Sequence, residues 1–425
     1  MTTRTARHAP GTTTSRPVRI AAAVLAAALP LTAVAVNLGN TTPAATASPV
    51  PAAPATGPAV INDAFATRAA ADADAYVPSD ESVWRDAVYD DAGNRLPNVE
   101  ELKVHSPAMD RDIPVVTIRA KEDAANAPTI YLLNGADGGS GRANWLSQTT
   151  AIDFYGNRIG NVNVVIPMSG GFSYYTDWQQ ASVLDKDGNG KGGIQKWETF
   201  LTSELPGAME QGHLKTSSDK RAIVGMSMTG STSLVYAEHH PDLYDAVGSD
   251  SGCPATSGAG ATAVDATLAM KGTGVTYEQM WGDRNGATAR YNDAQVNVAE
   301  LGDQQNIYVS SGPGLLGEHD AWTSPDVNEN FMNGSTVVGQ GGPIEAVTNG
   351  CTHMFKAAAD KAGVTEKNNN ITWNFHNTGT HQWAYWREDM YQSWPTLSAG
   401  LFGPESVADA QAVGDQAYDD YHASL

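Results

Sequence analysis

Seven short runs of β-type apolar residues are strung through this chain, and few of them alternate with polar residues. They are Val115–Ile118, Thr129–Leu133, Val162–Pro167, Ala222–Gly225, Ala246–Ser249, Ile307–Gly312 and Ile371–Phe375. A strand wetted on one face alternates, whereas a strand covered on both faces has no need to. Helical patterns intervene at Lys196–Leu205, Ser231–His239 and Pro343–Lys361. Doubly covered strands separated by helices predict an α/β fold, with a mostly parallel central sheet and helices on both faces. Pro254–Arg290, glycine-rich at its start, predicts an excursion from that sheet that caps or walls a site.

The N-terminal segment has a different character. Arg4, Arg7, Arg16 and Arg19 precede the apolar run 20–36, and the small-residue stretch Ala45-Thr46-Ala47 follows it. That order predicts a secretory signal over 1–47 and an exported, cell-envelope protein without a membrane span after processing. Residues 48–80, rich in Pro and Ala at their start, are expected to form a linker or flexible N-terminus. The catalytic domain is expected over 81–402, and 403–425 reads as an acidic tail, either a short helix or a disordered end. The formal net charge of −21 argues against nucleic acid and anionic lipid headgroups as partners. Cys253 and Cys351 are the two cysteines, and in an exported chain they predict one disulfide. No HExxH or CxxC pattern occurs, so neither a metal centre nor a cofactor is expected. Asp185, Asp187, Asn189 and Gly190 match the first positions of a calcium loop, but Lys196 stands where its closing Glu belongs, which favours a solvated turn.

The segment richest in chemistry is Arg221-Ala-Ile-Val-Gly-Met-Ser-Met-Thr-Gly-Ser231. A β-run enters it and a helical pattern leaves it. A serine at such a turn presents its hydroxyl at the sheet edge, beside the free N–H groups of the next helix. Ser227 is therefore the candidate nucleophile, although Thr229 stands at the second position after it, where Gly is usual. A serine nucleophile needs a base and an orienting acid, in the chain order Ser, acid, His in this fold. His381 lies just past the last strand and is the best-placed base, with His376 close behind. Glu318, Asp320, Asp326, Glu329 and Glu345 all lie between Ser227 and His381, and position alone does not choose among them. The oxyanion of an acyl-transfer intermediate needs two N–H donors. Met228, directly after the nucleophile, and Ala136, after the run ending in Leu133, are placed to supply them.

Several stretches, in order along residues 100–400, resemble the secreted mycolyltransferases of the antigen 85 type and their corynebacterial relatives. They include Tyr131-Leu-Leu-Asn-Gly135, Lys196-Trp-Glu-Thr-Phe-Leu-Thr-Ser-Glu-Leu-Pro206, Gly225-Met-Ser-Met-Thr-Gly-Ser231 and Gly379-Thr-His-Gln-Trp-Ala-Tyr-Trp386. The family's own turn also lacks Gly where Thr229 stands. The resemblance implies the α/β-hydrolase fold. It also implies Glu345 as the acid, at the start of a helix and ten residues before Phe355. It implies transfer of a mycolyl group from a trehalose monoester, or a similar glycolipid, to trehalose, arabinogalactan or another sugar or protein hydroxyl. A secreted carboxylesterase, with water as acceptor, is the alternative. Asn134, Trp145 and Trp383 stand at positions that the family implies for substrate binding. The sequence departs from the family pattern at Asn134, where Asp is usual, and at Asp137, where Arg is usual.

Overall fold

The computed structural model describes residues 57–182, 193–269, 274–327, 331–364 and 371–425. The expected signal 1–47, the start of the linker, the turn from Asp185 to Gly190 and Glu329 lie outside the described residues.

All seven apolar runs are strands, and two more precede them. In chain order the strands are β1 (Val60–Phe65), β2 (Val99–Ser106), β3 (Arg111–Ile118), β4 (Thr129–Leu133), β5 (Asn163–Pro167), β6 (Arg221–Met226), β7 (Ala246–Asp250), β8 (Ile307–Ser311) and β9 (Ile371–Phe375). They form one sheet in the order β1-β2-β3-β5-β4-β6-β7-β8-β9. From β5 to β9 the pairs are parallel. The first three strands extend the sheet in antiparallel fashion beyond β5.

Successive side chains of a strand point to opposite faces, and both faces are covered. Tyr131, Leu133, Ile223, Val247 and Val309 pack on one side with Leu234, Val235 and Phe355. Ile130, Leu132, Ala222, Val224 and Ala246 pack on the other with Trp386, Leu397, Leu401 and Ala417. That double burial explains the continuous apolar runs. Leu132 is fully buried, and its truncation to Ala would cost about 2–5 kcal/mol.

The chain leaves β4 on one side to make β5 and returns on the other side to make β6. Such a reversal opens a crevice at the carboxyl ends of the two strands, where open α/β sheets bind ligands. The loop after β4 and the turn after β6 both meet there. Between β7 and β8 the expected excursion consists of short helices, Ala261–Ala269, Tyr277–Trp281 and Ala287–Tyr291.

Two strands, β1 and β2, lie outside the seven apolar runs. The fold begins upstream of residue 81: β1 joins the sheet, and the helix Arg68–Asp74 follows it, capped by Thr67. Strand β2 (Val-Glu-Glu-Leu-Lys-Val-His-Ser) escapes pattern reading because charged residues interrupt it. Of the charged residues in β2, Glu101 is the one held at full burial. Its carboxylate is fully buried, and a buried charge must be paired and hydrogen-bonded. Arg85 Nη2 lies 2.6 Å from it, and the hydroxyls of Tyr76 and Tyr89 donate to it at 2.9 and 3.0 Å. Burial and the Glu101 charge push both phenols well above their ordinary pKa, so they remain donors. Tyr76, from the segment expected to be a linker, thus joins Arg85 and Tyr89 around a carboxylate on β2. At the other end, the acidic tail forms the helix Val407–His422. Ala410, Gly414, Ala417 and Tyr421 are its buried residues, spaced as one helical stripe. Among the described residues, no helix is long and apolar enough to cross a membrane.

Replacing Glu101 with Ala leaves Arg85 buried without its main partner. We expect a stability loss of about 3–5 kcal/mol, read as a lower urea midpoint at unchanged slope. A loss below about 1 kcal/mol would show that the pair does not organise the N-terminal segment.

Candidate active site

The turn after β6 is built by close approach. Ser227 has φ 57° and ψ −120°, a conformation that L-residues adopt only when the surroundings enforce it. A Cβ added at Gly225 would sit 2.0 Å from the Thr229 carbonyl oxygen, and one at Gly230 would sit 2.8 Å from the Gly252 Cα. Strand, turn and helix therefore touch through glycines. Thr229 has a role that Gly could not fill. Its hydroxyl accepts the Met226 N–H at 3.0 Å and lies 3.1 Å from the Met226 carbonyl oxygen. The Ser227 N–H donates to the Asp250 carbonyl at 2.8 Å, which ties the turn to the end of β7.

Ser227 Oγ lies 2.7 Å from His381 Nε2, and His381 Nδ1 lies 2.6 Å from Glu345 Oε2. Three elements deliver these groups: the turn after β6, the loop after β9, and the first turn of the helix Gly342–Ala362. Glu345 is 1% exposed. Its other oxygen accepts from Ser251 Oγ and the Gly312 N–H, both at 2.7 Å. Thr348 donates to Oε2 at 3.2 Å. These donors fix the direction of the buried carboxylate. The His381 ring stands edge-on to Trp386, with centroids 4.9 Å apart, and Trp386 Nε1 donates to Ser251 at 3.0 Å. A hydroxyl on an imidazole whose far nitrogen faces a carboxylate is the arrangement that makes a serine nucleophilic.

The disulfide joins Cys253 to Cys351. It links the segment carrying Ser251 to the helix carrying Glu345. Sequence reasoning did not single out Ser251, Gly312 and Trp386 as partners of this site. Their available signal was position, since Ser251 and Gly312 directly follow parallel strands at the carboxyl edge of the sheet. His376, the second candidate base, lies away from Ser227. Its Nε2 is 3.0 Å from Asp389 Oδ1. Of the other acids considered, Asp320 accepts from Thr380, Gln382 and Tyr385 and so braces the His381 loop. Asp326 and Glu318 lie by the C-terminal helix, near His319 and His422 respectively.

Residues 106–397 match the Esterase family. The chain is 32% identical over 307 residues to the diacylglycerol acyltransferase/mycolyltransferase Ag85A of Mycobacterium leprae, covering 71% of this chain and 83% of that one. The Ag85A of Mycobacterium tuberculosis is 31% identical over 309 residues, 71% of this chain and 81% of its own. This chain is an antigen 85 family member. The fold is shared with the solved structure of Mycobacterium tuberculosis MPT51, at a TM-score of 0.52 and 23% identity over 75% of this chain and 99% of that one.

Within this antigen 85 family member, the positions expected to bind substrate divide. Asn134 is fully buried. Its Nδ2 donates to the Pro167 carbonyl at 2.9 Å, and its Oδ1 accepts the Trp145 N–H at 3.2 Å. Trp145 is also fully buried and donates its indole N–H to the Leu133 carbonyl at 2.9 Å. Both side chains are thus occupied in holding the crevice floor. The swap of Asp for Asn makes sense there, because the site requires one donor and one acceptor. Trp383 is half-buried, edge-on to Trp145 at 5.7 Å and to Trp386 at 5.2 Å, and keeps a surface for a ligand. Gly135 packs against the nucleophile: a Cβ on it would lie 3.5 Å from Ser227 Cβ. Ala136 follows it, its carbonyl held by the Phe172 N–H at 2.7 Å.

The His381 loop also depends on pH. Attraction by the Asp389 carboxylate raises His376 to about 9, against the opposing effect of burial. A raised histidine pKa stabilises the fold fully below its unfolded value of about 6.5, and that contribution is lost as pH climbs through 9. The melting temperature should therefore fall between about pH 7 and pH 10, and His376→Gln should flatten that part of the profile. An identical slope in the variant would contradict the assignment.

Proposed function

We propose that this chain is an exported serine acyltransferase of the cell envelope, which moves a mycolyl or similar long acyl group between hydroxyls through an ester on Ser227. The observation that carries the reading is the unbroken series Ser227–His381–Glu345, with spacings of 2.7 and 2.6 Å. The relatives' names and the leader-like N-terminus support the substrate class and the location. The donor is a trehalose mycolate or comparable glycolipid. The acceptor is a sugar hydroxyl of trehalose or arabinogalactan, or a protein hydroxyl.

In the first half-reaction the Ser227 hydroxyl attacks the donor's ester carbonyl while its proton passes to His381 Nε2. Glu345 holds the ring by Nδ1–H and stabilises the imidazolium. The oxyanion receives the N–H of Met228, the first residue of a helix whose leading N–H groups have no partner within the helix, and that of Ala136. Collapse breaks the ester C–O bond, and His381 returns its proton to the departing sugar oxygen. In the second half-reaction the acceptor hydroxyl gives its proton to His381 and attacks the acyl-enzyme. Collapse then releases the new ester, and the proton goes back to Ser227. Trp383, at the entrance to the helix behind His381, is the ring best placed to contact a sugar.

Incubation with trehalose monomycolate and trehalose, followed by product analysis, tests the reading. The dimycolate should form, and Ser227→Ala should lower its formation by at least about a thousandfold. Glu345→Gln should lower kcat by about a hundredfold to ten-thousandfold with little change in KM. Free acid as the sole product, at a rate independent of acceptor, would overturn transfer in favour of a carboxylesterase. Undiminished activity in Ser227→Ala would overturn the site.

A further inference from the structure

A second group of titratable side chains lies where the C-terminal helix meets the rest of the domain. His319 follows β8, in the short turn Glu318–Asp320. Glu388 belongs to the helix Trp383–Gln392, and His422 ends the helix Val407–His422. One ligand atom from each of Glu318, His319, Glu388 and His422 lies within 4.8 Å of all the others. His319 Nε2 and His422 Nε2 both lie 2.7 Å from the same oxygen, Glu388 Oε1. His422 Nδ1 is 3.6 Å from Glu318 Oε1.

The direction of each ring matters. His319 is fully buried, and its Nδ1 faces Asp326 Oδ2 at 2.8 Å. Asp326 also accepts from Tyr421 at 2.8 Å and pairs with Arg387 at 3.5 Å, so it stays an acceptor. With Nδ1 toward Asp326, the other ring nitrogen of His319, Nε2, is turned toward Glu388. A carboxylate behind the ring, with the free nitrogen in front, is the arrangement that supports a metal-bound histidine. Three carboxylates, Glu318, Glu388 and Asp326, gather here around the single guanidinium of Arg387, so the remaining positive charge comes from a bound cation or from protonated histidines.

We propose that Glu318, His319, Glu388 and His422 form a divalent-cation site of the zinc class, which fastens the C-terminal helix to the domain. Two imidazole nitrogens with two carboxylates suit tetrahedral zinc, whereas calcium and magnesium require oxygen ligands throughout. All four ligands are protein groups, as in structural sites. The ion lies outside the Ser227 centre and takes no part in acyl transfer. No metal motif is visible in the sequence because the ligands come from three separate segments.

The test uses the full chain, stripped with a chelator, dialysed and then titrated with zinc chloride. Metal analysis should give one zinc per chain, and the melting temperature should rise with zinc and fall again with chelator. His422→Gln keeps a polar side chain at a half-buried position but removes a ligand. It should weaken zinc binding about a hundredfold, while Asp326→Asn, one shell out, should weaken it about tenfold or more. His422→Gln should still melt cooperatively and still react at Ser227, which separates this proposal from the acyltransferase reading. Absence of zinc uptake by the wild-type chain, or uptake equal in His422→Gln, would overturn the site and leave protons as the source of the positive charge.

Discussion

Everything at the candidate site depends on the close approach of three backbones around Ser227. Its positive φ of 57° exists because Gly225 and Gly230 allow strand, turn and helix to touch. The contact continues outward. Gly230 lies against Gly252, Ser227 is bonded to Asp250, and Ser251 has a positive φ of its own, 50°. Ser251 then donates to Glu345, and two residues later Cys253 is joined to Cys351. A strained serine, a carboxylate clamp and a disulfide are therefore consecutive consequences of one tight junction. Strain at a functional residue persists only when its surroundings over-determine it, and these contacts supply that.

The base is positioned by a different set of contacts. The loop from His376 to Gln382 is held at one end by Asp389 and in the middle by Asp320. Gly379 bonds both Gly314 and Leu315. Asp320 belongs to the turn that carries Glu318 and His319, and Asp389 lies beside Glu388. The C-terminal helix thus docks on elements that also position His381. A tail rich in acid and alanine takes part in the architecture of the site without approaching the chemistry.

The sequence was most legible where one physical demand governed each residue. Strand β4 coincides with Thr129–Leu133, because burial on both faces leaves an unbroken apolar signature. Ser227 and His381 could be named because a serine turn and a loop past the last strand each have a fixed place in the fold. The family resemblance was needed to choose Glu345 among five acids. Strand β2 was illegible because Glu101 is buried by pairing with Arg85, a contact 16 residues away that no periodicity reveals. The scaffold partners of Asn134 and Trp145 were illegible for a related reason. Each lies beside the crevice, but hydrogen bonds to Pro167 and Leu133 turn them inward. Whether a polar group faces ligand or scaffold depends on partners distant in the chain.

The central claim is that Ser227 is an activated nucleophile in the folded chain. Reaction with a fluorophosphonate probe, followed by peptide mass mapping, measures this without knowledge of donor or acceptor. The account predicts one adduct per folded chain, on the peptide bearing Ser227, and no adduct after unfolding or in His381→Ala. A folded protein that leaves Ser227 unlabelled, or one labelled equally well without His381, would contradict it.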